Sequence, residues 1–218
     1  MNEAKNNMKK EQTIEVKPII INTATIKIVG DGDLILNKMD APTERMLTDA
    51  RKDKAKTTAK PNYWESVITK IRWRDGTPTD FSEEGMKKAL EENAPCISAF
   101  GLKKSFGQAV VRNEIDKYAT KFDACMNIVA NNNLIPITFA EHYIDEKLMS
   151  PKRGAPVLVQ QNRFSGWSAD ITIQYLDNGS YSLEQIIQII NYAGFSMGIG
   201  SGRSSGYGRY HVAGIEAA

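Results

Sequence analysis

From Trp167 to Tyr175 the chain alternates without a break. Trp167, Ala169, Ile171, Ile173 and Tyr175 share one parity, and Ser168, Asp170, Thr172 and Gln174 share the other. Successive strand side chains point to opposite faces, so this stretch predicts a sheet covered on one side only. The residues that follow supply a cover. Asn178-Gly179 turns the chain, Ser182 stands as N-cap with Gln185 three residues on, and Tyr181 and Ile186 are placed for a hydrophobic staple. Leu183, Ile186, Ile187 and Ile190 make the apolar stripe of a helix that Gly194 can end. A last strand is predicted from about Tyr207 to Gly214.

Upstream, branched residues from Pro18 to Val29 predict a strand that turns at Gly30-Asp31-Gly32-Asp33 and continues through Leu34-Ile35-Leu36. The stretch from Ala41 to about Lys60 is rich in Lys, Arg, Asp, Thr and Ala, and reads as a solvated helix or loop. Ile71-Arg72-Trp73-Arg74 interleaves an aromatic with cations, either a strand edge with a half-buried Trp or a binding surface. Ser82 opens a short helix to Asn93, and Leu102, Phe106, Ala109 and Val110 share one face of a second, Phe100 to Val111. Met126–Val129 and Leu134–Ile137 flank three asparagines, which predicts a hairpin with Pro136 on an edge. Residues 141–155 read as an irregular insertion, and Val157–Arg163 is expected to pair with the 167–175 strand.

Composition narrows the function classes. The 218 residues are 41% hydrophobic and 25% charged, which disfavours collagen-like, wholly disordered and coiled-coil chains. A net charge of +2 excludes a strongly cationic nucleic-acid sponge and leaves room for a local basic groove. Cys96 and Cys125 lack metal or redox spacing, and His142 and His211 are the only histidines, so no metal site and no cofactor is expected. Residues 1–12 read as a disordered arm without an apolar targeting core, and no apolar run approaches the ~20 residues of a membrane span. The expectation is a soluble, cytoplasmic protein that does not engage a membrane.

Between the last helix and last strand, Gly198, Gly200, Gly202, Gly206 and Gly208 place five glycines in eleven residues. A dinucleotide fingerprint needs strand before helix, and here the order is reversed; a Walker loop needs Gly-Lys-Ser/Thr, which is absent. The remaining alternatives are tight packing beside the sheet or backbone amides close to an anionic ligand, with Arg203 and Arg209 nearby. Residues 147–167 add Lys147, Lys152, Arg153 and Arg163 with no acidic residue, a local +4.

The order strand, helix, strand, strand, helix, glycine-rich loop, strand predicts an α+β, ferredoxin-like (RRM-like) core with an antiparallel sheet and helices on one face. With its Arg163-Phe164-Ser165-Gly166-Trp167 segment and its Gly198–Tyr210 ending, the chain resembles the repeat-associated mysterious protein superfamily. That superfamily includes the backbone subunits of CRISPR effector complexes. The chain is most similar in its ending to small bacteriophage proteins. The resemblance covers residues 156–213 best. It implies one domain from 13 to 218 with insertions at about 40–99 and 120–155, and single-stranded RNA or DNA bound along one face of the sheet with head-to-tail self-assembly.

On this reading Arg203 and Arg209 contact phosphate, supported by the amides of Gly200, Gly202 and Gly206. Lys152, Arg153, Arg163 and Arg74 extend the groove, and Trp73 or Tyr207 stacks on bases. No catalysis is expected, since neither histidine has an obvious partner in the sequence. Two alternatives stand beside it: a phage protein that binds a host defence protein or a small nucleotide, and a metal-independent endoribonuclease using His142 or His211.

Overall fold

A computed structural model describes residues 18–51, 62–149 and 156–217. In chain order its first elements are β1 (Ile21–Gly30), β2 (Leu34–Leu36), α1 (Ala41–Arg51), α2 (Tyr63–Thr69), β3 (Arg72–Trp73) and α3 (Glu83–Glu92). Next come β4 (Pro95–Ser98), α4 (Ala99–Arg112), α5 (Thr120–Cys125), β5 (Met126–Val129) and β6 (Leu134–Pro136). The last are β7 (Glu141–Met149), β8 (Val157–Ser165), β9 (Ser168–Leu176), α6 (Leu183–Ser196) and β10 (Tyr210–Ala217). The class is α+β with antiparallel sheets. None of the described helices is long and apolar enough to cross a membrane.

The main sheet runs β10-β1-β9-β5, and every neighbouring pair is antiparallel. Counted along the chain, these are the fourth, first, third and second strands of the sheet. With α4 between the first two and α6 between the last two, the connectivity is compatible with the ferredoxin-like arrangement. The predicted alternation of β9 is realised: Ala169, Ile171 and Ile173 are buried and join Ala24, Ile26 and Ile28 of β1 in the core. Leu102, Phe106 and Val110 of α4 and Ile186, Ile190 and Ala193 of α6 close over that face. The opposite face is polar, with Thr25 opposite Thr172 and Lys27 opposite Asp170.

Two small sheets, β2-β8-β7 and β3-β4-β6, flank this core. They account for most departures from the sequence reading. Residues 141–149 are a strand, not an irregular insertion, paired with β8 from Glu141↔Ser165 to Met149↔Val157. The ribbon is polar on both sides for much of its length, so it lacks the apolar alternation that would have announced it. β8 pairs with β7 and β2 and not, as expected, with β9. The strands at 126–129 and 134–136 both exist, but they part company: β5 borders β9 and β6 borders β4. Asn132 and Asn133 do take positive φ (51° and 61°), making a corner between two sheets instead of a hairpin. β5 lies inside the stretch read as an insertion, yet it is an outer strand of the main sheet.

The Ser82 and Ser182 caps form as predicted, the second as a complete capping box. Gly194 does not end α6, which continues to Ser196. A Cβ at Gly194 would lie 2.0 Å from the Tyr210 carbonyl oxygen, so this glycine lets α6 touch β10. Termination falls to Gly198 (φ 63°), whose N–H donates to the Ala193 carbonyl at 2.9 Å. The last strand starts three residues later than expected, at Tyr210, because residues 203–208 are turns.

Candidate nucleic-acid interface

All five loop glycines have positive φ, from 63° to 89°, which L side chains adopt only under strain. The loop is laid against β2 and the turn before it. Ser201 N–H donates to the Ile35 carbonyl at 2.9 Å, Gly208 N–H to the Asp33 carbonyl at 2.8 Å, and Ile199 N–H to the Gly208 carbonyl at 2.9 Å. A Cβ at Gly200 would meet the Ile35 carbonyl oxygen at 2.5 Å, and one at Gly208 the Ile199 carbonyl oxygen at 1.9 Å. Most of the glycines therefore serve close backbone packing, and seven amides of the 198–208 loop are engaged within the fold, that of Gly206 among them, donating to the Arg203 carbonyl at 3.1 Å. A Cβ at Gly206 would meet no neighbouring atom, and Gly202 lies against the Tyr207 ring.

The Gly30-Asp31-Gly32-Asp33 turn holds this loop in place. Asp31 N–H donates to the Arg209 carbonyl at 2.9 Å, and the Asp31 carboxylate lies 2.5 Å from His211 Nδ1. The Asp33 carboxylate accepts from Arg163 Nη2 at 2.7 Å and from the Tyr143 hydroxyl at 2.5 Å. Arg163 also pairs with Asp145 at 2.9 Å and stacks on the Tyr207 ring, 4.7 Å from its centroid. Its guanidinium holds the Asp145 carboxyl below the usual carboxylate range.

Arg163 is thus a structural clamp between the β7–β8 ribbon and the glycine loop, not a free groove cation. The Arg163 guanidinium and the Lys147 ammonium both lie over the Tyr207 ring, 4.7 and 5.3 Å from its centroid, where a stacked base was expected. Arg209 reaches back to the Arg203 carbonyl at 3.3 Å, with its other terminal nitrogen buried. Trp73 is buried, its indole N–H bonded to the Ile68 carbonyl at 2.9 Å, and has no face for a base. Arg74 pairs with its neighbour Asp75 at 2.7 Å. Lys152 and Arg153 lie outside the described residues.

Both histidines have partners that the sequence did not announce. His142 Nε2 donates to Asn162 Oδ1 at 3.1 Å beside the Phe164 ring. Burial pushes its pKa down, so it is neutral near pH 7. His211 pairs with Asp31 on the surface.

Arg203 has a different setting. It lines a pocket of about 410 Å³ together with Lys38, Arg72 and Lys104. Lys38 follows β2, Arg72 comes from β3, Lys104 from α4 and Arg203 from the glycine loop, so four separate elements converge. The lining contains no carboxylate, and none of the four cations forms an ion pair among the described residues. Burial, and after it the Arg72 charge, lower the Lys38 pKa; Glu44 opposes this less strongly. Gly200 lies in the wall, and Phe100, 69% exposed, stands at the rim.

The N-terminus of α4 also borders the pocket, but its first amides are engaged. Phe100 N–H donates to Asn133 Oδ1 at 2.6 Å and Gly101 N–H to Ser98 Oγ at 3.2 Å. The side chains, Lys104 foremost, are what α4 offers a ligand. Of the site residues expected from sequence, Arg203 and Gly200 reach this pocket. Lys38, Arg72, Lys104 and Phe100 were missed, although Arg72 stands next to Trp73 and Lys104 falls on the polar side of a helix read correctly.

No family model matches the sequence, and no curated relative matches it. Among solved structures, the chain is similar to a chain of a Type III-B Cmr-beta complex bound to cognate target RNA, solved by cryo-EM. The identity is 12% and the TM-score 0.49. The match covers 90% of this chain and spans 60% of the length of that one.

Proposed function

We propose that the protein binds single-stranded nucleic acid without cleaving it, on a ferredoxin-like core, with the Lys38–Arg72–Lys104–Arg203 pocket as its phosphate site. The observation that carries this is the convergence of four cations, from four elements, on one pocket with no carboxylate in its lining. Arg45, Arg74, Lys147 and Arg163 are each paired with a carboxylate, whereas the four pocket cations are not. Unpaired cations from four elements, two of them close enough to repel, are favourable only where an anion completes the site. Phe100 at the rim supplies an aromatic face on which an unpaired base can stack. The polar face of the main sheet is a weaker candidate, because Lys27 faces Asp170 there and no cations gather.

The test is fluorescence anisotropy with labelled single-stranded RNA, single-stranded DNA and duplex across salt concentrations. The reading expects salt-sensitive binding that favours single strands and weakens when Arg72 and Lys104 are changed to Gln. Absence of binding near physiological salt, or binding indifferent to these changes, overturns it.

A further inference from the structure

The pocket's charge and size together restrict what it takes. A cavity of about 410 Å³ lies toward the small end of the ligand-pocket range, ~300–1,000 Å³, and has room for roughly one nucleotide. An internal phosphodiester brings one negative charge to that space, which four unpaired cations overcompensate. A phosphomonoester brings about −1.5 to −2 near pH 7, because its second pKa lies near 6. It also presents three acceptor oxygens, enough for donors arriving from β3, α4 and the glycine loop.

One further atom suits the pocket to a polar ligand larger than a lone ion. Asn37 Oδ1 is buried at the pocket wall without a hydrogen-bond partner. Ser105, also in the lining, turns its hydroxyl to the buried Tyr210 hydroxyl instead and offers the ligand nothing. A buried acceptor left unpaired is costly, and a sugar hydroxyl or base amine would satisfy it.

Resting on the single-strand reading above, we infer that this pocket holds one nucleotide by its terminal phosphomonoester: Arg72, Lys104, Arg203 and Lys38 surround the phosphate, Asn37 meets the sugar or base, and Phe100 flanks the base. The shared chemistry is a nucleoside monophosphate, whether at the end of a strand or free.

The experiment compares three forms of a labelled ten-nucleotide uridine oligomer: 5′-phosphorylated, 3′-phosphorylated, and hydroxyl-terminated at both ends. Uridine monophosphate is titrated separately against the unlabelled protein by calorimetry. One phosphorylated oligomer should bind at least tenfold more tightly than the hydroxyl-terminated form. The gain should vanish in Arg72→Gln and in Lys104→Gln, two exposed positions whose variants keep the wild-type melting curve. Equal, salt-sensitive affinity for all three oligomers overturns this inference and leaves single-strand binding standing. Binding of uridine monophosphate that is lost in Arg72→Gln, with no oligomer bound, supports the pocket assignment with a free nucleotide as ligand and removes the single-strand reading. If neither oligomer nor mononucleotide binds, both fall.

Discussion

Lys38 and Arg72 face one pocket closely enough that the arginine's charge, added to burial, lowers the lysine's pKa. A bound phosphate reverses that pressure by favouring the charged ammonium. Binding should therefore be accompanied by proton uptake at alkaline pH. Between the lowered Lys38 pKa and its ordinary 10.5, affinity should fall as pH rises, by up to one proton per ligand. Calorimetry in buffers of different ionisation enthalpy reads this directly, and Lys38→Gln should abolish it.

Neutralising a pocket cation should weaken nucleic-acid binding by about 1.5–3 kcal/mol, roughly 10- to 150-fold, and reduce the slope of log affinity against log salt by about one. Arg203→Gln, Lys104→Gln and Arg72→Gln should all behave this way. Arg74→Gln, outside the pocket and paired with Asp75, should leave affinity within twofold of wild type. Anisotropy titrations at three salt concentrations separate the two groups.

The loop glycines should divide by their surroundings. Gly208→Ala puts a Cβ on the Ile199 carbonyl oxygen at a positive-φ position, combining overpacking with backbone strain, and should cost about 3 kcal/mol. Gly206→Ala meets open space and should cost about 1 kcal/mol, from its left-handed backbone alone. Urea midpoints at constant m-value check the ranking.

Asp33 and Arg163 should be energetically coupled. Asp33→Ala leaves Arg163 with Asp145 only and strips the Tyr143 hydroxyl of its acceptor, a loss of about 1–3 kcal/mol. In a double-mutant cycle with Arg163→Met the two losses should fall short of additivity. The Asp145 carboxyl has a folded pKa below its ordinary 3.8, so its stabilising pairing is complete above that value and is lost as pH falls through the folded pKa. Thermal melts between pH 5 and pH 2 should show this loss in wild type and much less of it in Arg163→Met.

RNA incubated with the protein and recovered should be intact, with or without chelator, and His211→Ala should not alter its binding by more than twofold. The His211–Asp31 pair lies on the turn behind the loop, joined to it through Arg209, and neither residue lines the pocket. Gel analysis of recovered strands decides the point; metal-independent cleavage lost in His211→Ala would contradict the non-catalytic reading.

Local signals in the chain were strong where one residue sets one structural feature. The β9 alternation and the Ser182–Gln185 box are each visible in the sequence and each found in the fold, and the asparagines take positive φ, although the hairpin expected there is a corner between two sheets. Strand partnership was not visible. β8 abandons its neighbour β9 for β7 because Gly166, at φ 57°, turns the chain from one sheet to another, and nothing periodic marks that switch. The site followed the same division. Arg203 is marked in the sequence by its glycines, but nothing there distinguishes it from Arg163, which the fold pairs with Asp33 and Asp145. Lys38, Arg72 and Lys104 lie far apart in sequence, and only the packing of β2, β3 and α4 brings them to one pocket.

On the function proposed above, single strands engage the pocket beside α4 and not the polar face of the main sheet. Photo-cross-linking with an oligonucleotide carrying 5-iodouridine at each position in turn, followed by peptide mapping, addresses this most directly. Adducts are expected on the peptide bearing Phe100, competed by unlabelled strand and lost in the Arg72→Gln, Lys104→Gln double variant. Adducts confined to β1, β5 or β9, with none near Phe100, would contradict it.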